Sequence, residues 1–426
     1  MHAAFLITRL NHVKHFAGAV EEALARRWSV TLLCDHTGAQ SQPTGWKGYD
    51  FPRLDAMPLF VNGAPRVQAF TAVDELAELI RREAIRVLFV VGARPILAEL
   101  RAQFPSTALL IAQIQSSWDT LMLHVSPATL PHLDAIYGFS AGWIDWWGDY
   151  QVAYGHIRAD ERETWHGRLK DRYVPVGFAE AEQLKHLDRT GLRARLGLPE
   201  GRPIVLYLPF PFQSVSREFW PHRIHRPRRT IGALHVLASG RREWWSYVRR
   251  GWNDRGLVTR VRQLCDRNDA LLVVKSRMKN TVPQYLRRLA DLTLYDDAYY
   301  PATILELLAI STLCVHYYSF TVSEAAYAGV PSLCLSPSAQ EWPKIHTQKM
   351  VVEAFSAAPE SLYNFPGAVW SLSIPQAFDR LAALSLDTLA LNPDRRSAYL
   401  EKFFGPGDLD VAARIHDDVE RRVAAL

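Results

Sequence analysis

Short apolar runs separated by helical periods recur along the chain. Residues 3–7 and 29–34 are nearly continuous aliphatic and aromatic stretches, and residues 15–27 between them repeat apolar positions at three- and four-residue spacing. A short apolar run fits a strand buried on both faces, and the segment between the two runs fits an amphipathic helix. The same alternation returns as helix 72–82, strand 87–91, helix 96–104, strand 108–114 and a short strand at 135–137. Strands alternating with helices predict a parallel sheet covered on both faces. A first doubly wound domain over 1–185 follows, and its ligand edge is the carboxyl ends of its strands.

The pattern then begins again. A polar helical linker near 181–196 ends in Leu196-Gly-Leu-Pro-Glu-Gly-Arg-Pro, a helix stop and turn, before the apolar run 204–208. Further strands are expected at 270–274, 292–294, 312–316 and 332–335. A charged amphipathic helix over 409–425 closes the chain, opened by Gly407-Asp408, with the aspartate suited to capping. The expected fold is α/β: two doubly wound Rossmann-like domains, 1–185 and 195–405, facing a central cleft. Residues 406–426 form a C-terminal helix packing across the hinge.

Composition sharpens this picture in one place. The 426 residues, 48% apolar and 22% charged, suit two or three folded domains. The net charge is +5, but residues 217–255 hold ten arginines against three acids, a net of +7 that leaves −2 for the remainder. Trp220, Trp244, Trp245 and Trp252 lie among those arginines, marking a basic, tryptophan-rich insert over 213–256. Such a segment suits docking on an anionic membrane surface, or a helical insertion whose tryptophans fill a local core. No apolar run reaches the ~18–20 residues of a spanning helix, and the first apolar run is closed by Arg9, so neither a transmembrane segment nor a signal peptide is expected. A cytoplasmic protein, peripheral on the inner face of the membrane, is the expectation. Cys34, Cys265, Cys314 and Cys334 are widely spaced and read as reduced core residues.

Four constellations carry candidate chemistry. In the second domain, Val315-His316-Tyr-Tyr-Ser319-Phe-Thr321-Val-Ser323-Glu324 ends a strand, turns and starts a helix. Helix N-terminal N–H groups, with the hydroxyls of Ser319, Thr321 and Ser323, suit a diphosphate, and Glu324 one turn on suits the hydroxyls of a ribose or sugar. An ordinary capped helix explains the same residues. Next, Leu271-Leu-Val-Val-Lys275-Ser-Arg277-Met-Lys279 brings cations out of a strand end on the same edge, fit to neutralise a leaving phosphate. In the first domain, Ser116-Ser117-Trp118-Asp119 follows a strand; Asp119 suits a general base or a helix cap, and Trp118 offers a flat face to a sugar. Finally, Asn11, His12 and His15 follow the first strand, where a histidine serves as base or binds an acceptor. No GxGxxG is present, against a nicotinamide enzyme, and Asp408-Leu-Asp410 opens a helix and is not read as a metal site.

These residues resemble a known group. The Arg195-Leu-Gly-Leu-Pro linker, and the element running from Ser319 through Glu324-Ala325 to Gly329 and Pro331, look like glycosyltransferases of the GT-B fold. Ser117-Trp-Asp119, Asp134-Ala-Ile and Val174-Pro-Val-Gly177 are similar to bacterial surface-polysaccharide transferases, those of capsule and O-antigen. The Lys275 strand and region 305–331 resemble CDP-glycerol glycerophosphotransferase relatives, which place Lys-Pro-His where Lys275-Ser-Arg277 stands here; the missing histidine weighs against glycerol-phosphate transfer. The resemblance implies a nucleotide-sugar donor on the second domain and a glycan or lipid-linked glycan acceptor on the first. Ser319, Thr321 and His316 would then hold the donor phosphates, Glu324 the ribose or sugar, and Lys275 or Arg277 the leaving phosphate. Asn11, Ser117 and Trp118 would bind the acceptor. Asp119 would be the base, with His12 or His15 next, and no metal or other cofactor is required.

Other readings remain open from the residues alone. A glycerol- or ribitol-phosphate transferase or a nucleotide-sugar epimerase would share the fold. A non-catalytic glycan- or nucleic-acid-binding protein draws support only from the 217–255 stretch, and no nucleic-acid partner is expected.

Overall fold

Apolar runs too short for helices become parallel strands in two separate sheets. The computed structural model describes residues 1–37, 51–92, 95–210, 254–277, 282, 284–296, 298–339, 341–342, 345–346 and 352–425. It divides into two compact units, one of Met1–Leu187, Ala298–Ala302 and Leu400–Leu426, the other of Asp188–Asp297 and Thr303–Tyr399. The basic insert lies outside the described residues except at 254–256, and Lys279 lies outside them too.

In the first unit, strands β1 (His2–Ile7), β2 (Ser29–Asp35), β3 (Arg66–Phe70), β4 (Val87–Val90), β5 (Leu110–Ile114), β6 (Ala135–Gly138) and β7 (Tyr173–Pro175) form one sheet. Its order is β3-β2-β1-β4-β5-β6-β7, with every pairing parallel. Phe5 on β1 stands level with Leu32 on one side and Phe89 on the other. Its ring stacks on Phe89 at 4.8 Å and meets the edge of Phe16 at 5.3 Å. Each such ring taken fully out of water contributes about 1.5–3 kcal/mol. At the β6–β7 pair a close approach demands glycine: a Cβ on Gly138 would lie 2.2 Å from the Tyr173 ring. The sequence pattern does not show β3, an edge strand that is half exposed along most of its length.

The second unit repeats the plan with β8 (Ile204–Tyr207), β9 (Leu271–Ser276), β10 (Leu292–Tyr295), β11 (Leu313–His316), β12 (Ser332–Ser336) and β13 (Val369–Ser373). Its order is β10-β9-β8-β11-β12-β13, again all parallel. The helix Thr321–Ala328 joins β11 to β12 and ends at Gly329, whose φ of +75° is readily available only to glycine. All four cysteines are buried and unbridged, and burial alone pushes the Cys34 thiol up to about 12.

Residues 400–426 belong to the first unit. The Trp143 indole N–H donates to the Phe403 carbonyl at 2.6 Å, and the Tyr137 hydroxyl to Asp418 at 3.0 Å. The terminal helix spans Val411–Ala424; Asp408 precedes it and accepts the Asp410 N–H at 2.9 Å. The Ala412 N–H at the start of that helix donates to Glu182 at 2.8 Å. Burial pushes the Glu182 carboxyl up to about 7, against the opposing pull of Lys185 and the Ala412 N–H.

A carboxyl raised above its ordinary 4.5 stabilises the fold fully below that pH and loses its contribution as pH rises through about 7. The melting temperature of the native protein should therefore fall relative to that of Glu182→Gln between about pH 5 and 7, then run parallel to it. A constant difference across that window, measured by thermal denaturation, would show an unperturbed carboxyl.

Candidate functional site

Each sheet reverses its order beside its first strand, at β1/β4 in one unit and at β8/β11 in the other. In doubly wound folds the loops leaving the carboxyl ends at such a reversal diverge to opposite faces, and the crevice they leave is where ligands are placed.

In the second unit, β11 ends at His316, and the chain turns through Tyr317 and Tyr318 to Ser319. Tyr318 has φ +42°, a left-handed backbone that costs a bulky residue on the order of 1 kcal/mol or more. Packing holds it there: its ring lies 5.2 Å from that of Tyr363, and its hydroxyl donates to the Pro337 carbonyl at 3.4 Å. The turn directs the Ser319 N–H to His316 Nδ1 at 3.4 Å. Ser319 Oγ accepts the Thr321 N–H at 3.2 Å and donates to Thr321 Oγ1 at 3.1 Å, opening the helix. Ser323 and Glu324 are buried on that helix, and the Ser323 hydroxyl donates to the Phe320 carbonyl at 2.6 Å.

Lys275 and Arg277 stand at the same edge but on the far side of β8, because β9 pairs with β8 and not with β11. Lys275 is buried, and its ammonium donates to the Asp296 carbonyl oxygen at 2.7 Å and lies 3.3 Å from its carboxylate, which also accepts from Thr303 at 2.9 Å. Its charge is therefore met within the unit, while Arg277 is half-buried just past the strand.

In the first unit, the helix leaving β1 spans His12–Ala25, beginning three residues before the expected start. His12 is buried, with Nδ1 3.4 Å from Thr8 Oγ1, and its ring lies 6.0 Å from that of His15. His15 Nδ1 bonds the Glu180 carboxylate, and Lys14 Nζ approaches the other oxygen at 2.9 Å. Burial alone would raise Glu180, but His15 and Lys14 outweigh it and hold the carboxyl down to about 2. The Asn11 amide nitrogen lies 3.4 Å from His15 Nε2, while the Asn11 Oδ1 is buried with no hydrogen-bond partner. A carboxylate on Nδ1 and a donor at Nε2 together favour the tautomer with Nδ1–H and a lone pair on Nε2.

The Ser117-Trp118-Asp119 loop leaves β5, two strands from β1. Ser117, not Asp119, is the N-cap of the helix Trp118–Met122, forming a reciprocal box with Thr120. Its hydroxyl also donates to Asp119. Trp118 is buried, edge-on to Tyr150 at 6.3 Å. The structure thus groups Asn11, His12 and His15 at one reversal and His316, Ser319, Thr321 and Glu324 at the other. Glu180, which lies in the short 3-10 helix Ala179–Lys185, has no motif to announce it, since its histidine partner is 165 positions away in sequence.

Among the described residues, no group of three His, Cys, Asp or Glu is placed to hold a metal, and no helix is long and apolar enough to cross a membrane. The histidine–carboxylate pair can take up a proton, and the hydroxyl-rich helix start can take phosphate oxygens.

Glu180→Gln removes the charge that the partly buried Lys14 and His15 share and should destabilise the protein by about 3 kcal/mol near neutrality in urea denaturation. Because the folded carboxyl is depressed, that loss should shrink as pH falls from its ordinary 4.5 toward about 2. A loss independent of pH would contradict the charge pairing.

No protein-family model matches the chain, and no curated protein matches it. Solved structures do. The wall teichoic acid polymerase TagF matches with TM-score 0.56 at 10% identity, over 100% of this chain and 89% of that one. The UDP-GlcNAc 2-epimerase from Methanocaldococcus jannaschii matches with TM-score 0.53 at 11% identity, over 99% of this chain and all of that one. Staphylococcus aureus MnaA, solved with UDP, matches with TM-score 0.52 at 13% identity, over 100% and 97%. At these identities the likeness establishes the fold: a GT-B-like α/β protein of two doubly wound units.

Proposed function

We propose that the protein is a glycosyltransferase that moves a sugar from a nucleoside-diphosphate donor to a hydroxyl of a surface-polysaccharide or lipid-linked glycan acceptor, without a metal. The observation that carries this reading is the pairing of chemistries at the two sheet reversals. A histidine held by a buried carboxylate leaves β1, and a hydroxyl-lined helix start leaves β11. In this reading the donor diphosphate accepts hydrogen bonds from Ser319, Thr321 and the helix N-terminus, with Arg277 adding positive charge. Glu324 serves the ribose hydroxyls.

The acceptor, held by a neighbouring hydroxyl that donates to Asn11 Oδ1, gives the proton of its reacting hydroxyl to His15 Nε2 as that oxygen bonds the anomeric carbon. The bond from that carbon to the diphosphate oxygen breaks, and its electron pair leaves with the phosphate. Glu180 stabilises the imidazolium that results. His15 is preferred to Asp119 as base because it leaves β1 at the sheet reversal, whereas Asp119 follows β5, two strands away. The arginine-rich stretch 217–255 supports an enzyme that meets its acceptor at an anionic membrane surface, on the cytoplasmic side.

The likeness to 2-epimerases along nearly the whole chain favours one second reading, an epimerase acting on a nucleotide sugar alone. Incubation with UDP-, CDP-, GDP- and dTDP-sugars separates the two: turnover without any acceptor identifies an epimerase, and nucleotide release that requires acceptor identifies a transferase.

A nucleotide present at about a hundred times its Kd should add about 2.7 kcal/mol to stability, visible as a rise in Tm. Ser319→Ala should weaken binding by about tenfold. His15→Ala should leave binding intact and lower kcat by about 10²–10⁴-fold. Failure of every nucleotide to stabilise the protein, with Ser319→Ala indistinguishable from the native chain, would remove the donor site.

A further inference from the structure

Trp342 follows β12 at the carboxyl edge of the second sheet. Its side chain is only 7% exposed, and its indole N–H has no hydrogen-bond partner. Buried indoles usually find an acceptor, and a desolvated donor left unpaired costs about 1–3 kcal/mol. Its surroundings are aromatic and come from the loops that flank the sheet reversal. The Phe210 ring, just past β8, meets it at 4.8 Å and 68°, and the Tyr318 ring, just past β11, lies at 6.4 Å and 46°. Phe210 in turn meets Tyr317 edge-on at 5.2 Å.

Tyr318 links this cluster to the helix start, since the next residue in the chain is Ser319. One short turn therefore joins a hydroxyl-lined, dipole-positive helix end to an apolar aromatic group carrying one unsatisfied donor. A ligand matching both ends is anionic at one and flat at the other, with an acceptor on the rim of its flat part.

We infer that Trp342 reads the base of the donor nucleotide, its indole N–H donating to a carbonyl oxygen of that base. The ligand is then a nucleoside diphosphate of uracil, thymine, cytosine or guanine, each of which carries a carbonyl, and not of adenine, which has none. This inference rests on the donor-site reading above and adds the class of nucleotide to it.

Titration calorimetry of the full chain with UDP, dTDP, CDP, GDP, ADP and ribose 5-diphosphate tests it. At least one carbonyl-bearing diphosphate should bind about tenfold or more tighter than both ADP and the base-free diphosphate. Trp342→Phe, which keeps an aromatic ring and loses the N–H, should weaken that ligand by about tenfold and leave ADP unchanged. Ser319→Ala should weaken all of them alike. ADP binding as tightly as the others, or Trp342→Phe leaving affinity untouched while Ser319→Ala reduces it, overturns the base site and leaves the donor site standing. No binding by any diphosphate overturns both. If Trp342→Phe does not fold, the ligand series on the native chain still decides, because equal affinity for UDP, dTDP, CDP, GDP, ADP and ribose 5-diphosphate is incompatible with a reading of the base.

Discussion

Two parallel strands joined by a helix can be wound with essentially one hand, and that constraint organises everything else here. A sheet that grows outward in one direction and then returns to grow in the other must send its helices to opposite faces. In such folds the loops leaving the two central strands part and open a crevice at the strands' carboxyl ends. Both units do this, at β1/β4 and at β8/β11. The reversals are where Asn11 and His15 emerge in one unit and Ser319 and Thr321 in the other.

Within the first unit, three nearly buried glutamates stitch distant segments to the body of the sheet. Glu21 accepts the N–H groups of Val61 and Asn62 at 2.6 and 2.9 Å and the Tyr300 hydroxyl. Glu180 takes Lys14 and His15, and Glu182 takes the Ala412 N–H and Lys185. A charge withdrawn from water needs matched donors in definite places, so each carboxylate admits few arrangements of the segments it joins. The catalytic candidate His15 inherits its orientation from this scheme.

Much of the fold was legible because buried parallel strands such as β1, β5 and β11 leave unbroken apolar runs in the sequence. The edge strands β3 and β13 were not, since exposed Arg66 and half-exposed Gln68, Trp370 and Ser371 interrupt the run. The turn from His316 to Thr321 stood out because chemistry-bearing side chains crowd one strand end. Glu180 and Trp342 did not, because what distinguishes them is a contact or its absence across long stretches of chain. Lys275 shows the converse: a cation conspicuous in sequence whose charge is answered by Asp296, a residue with no pattern of its own.

The return of residues 400–426 to the first unit sets when that unit can be completed. Trp143, Tyr137 and Glu182 receive their partners Phe403, Asp418 and Ala412 only after the whole intervening second unit has been synthesised. A domain usually closes as it leaves the ribosome, N-terminal first. Here part of the first sheet's surface stays uncovered until residues 400–426 have been made, so the first unit is completed only after the second has been synthesised.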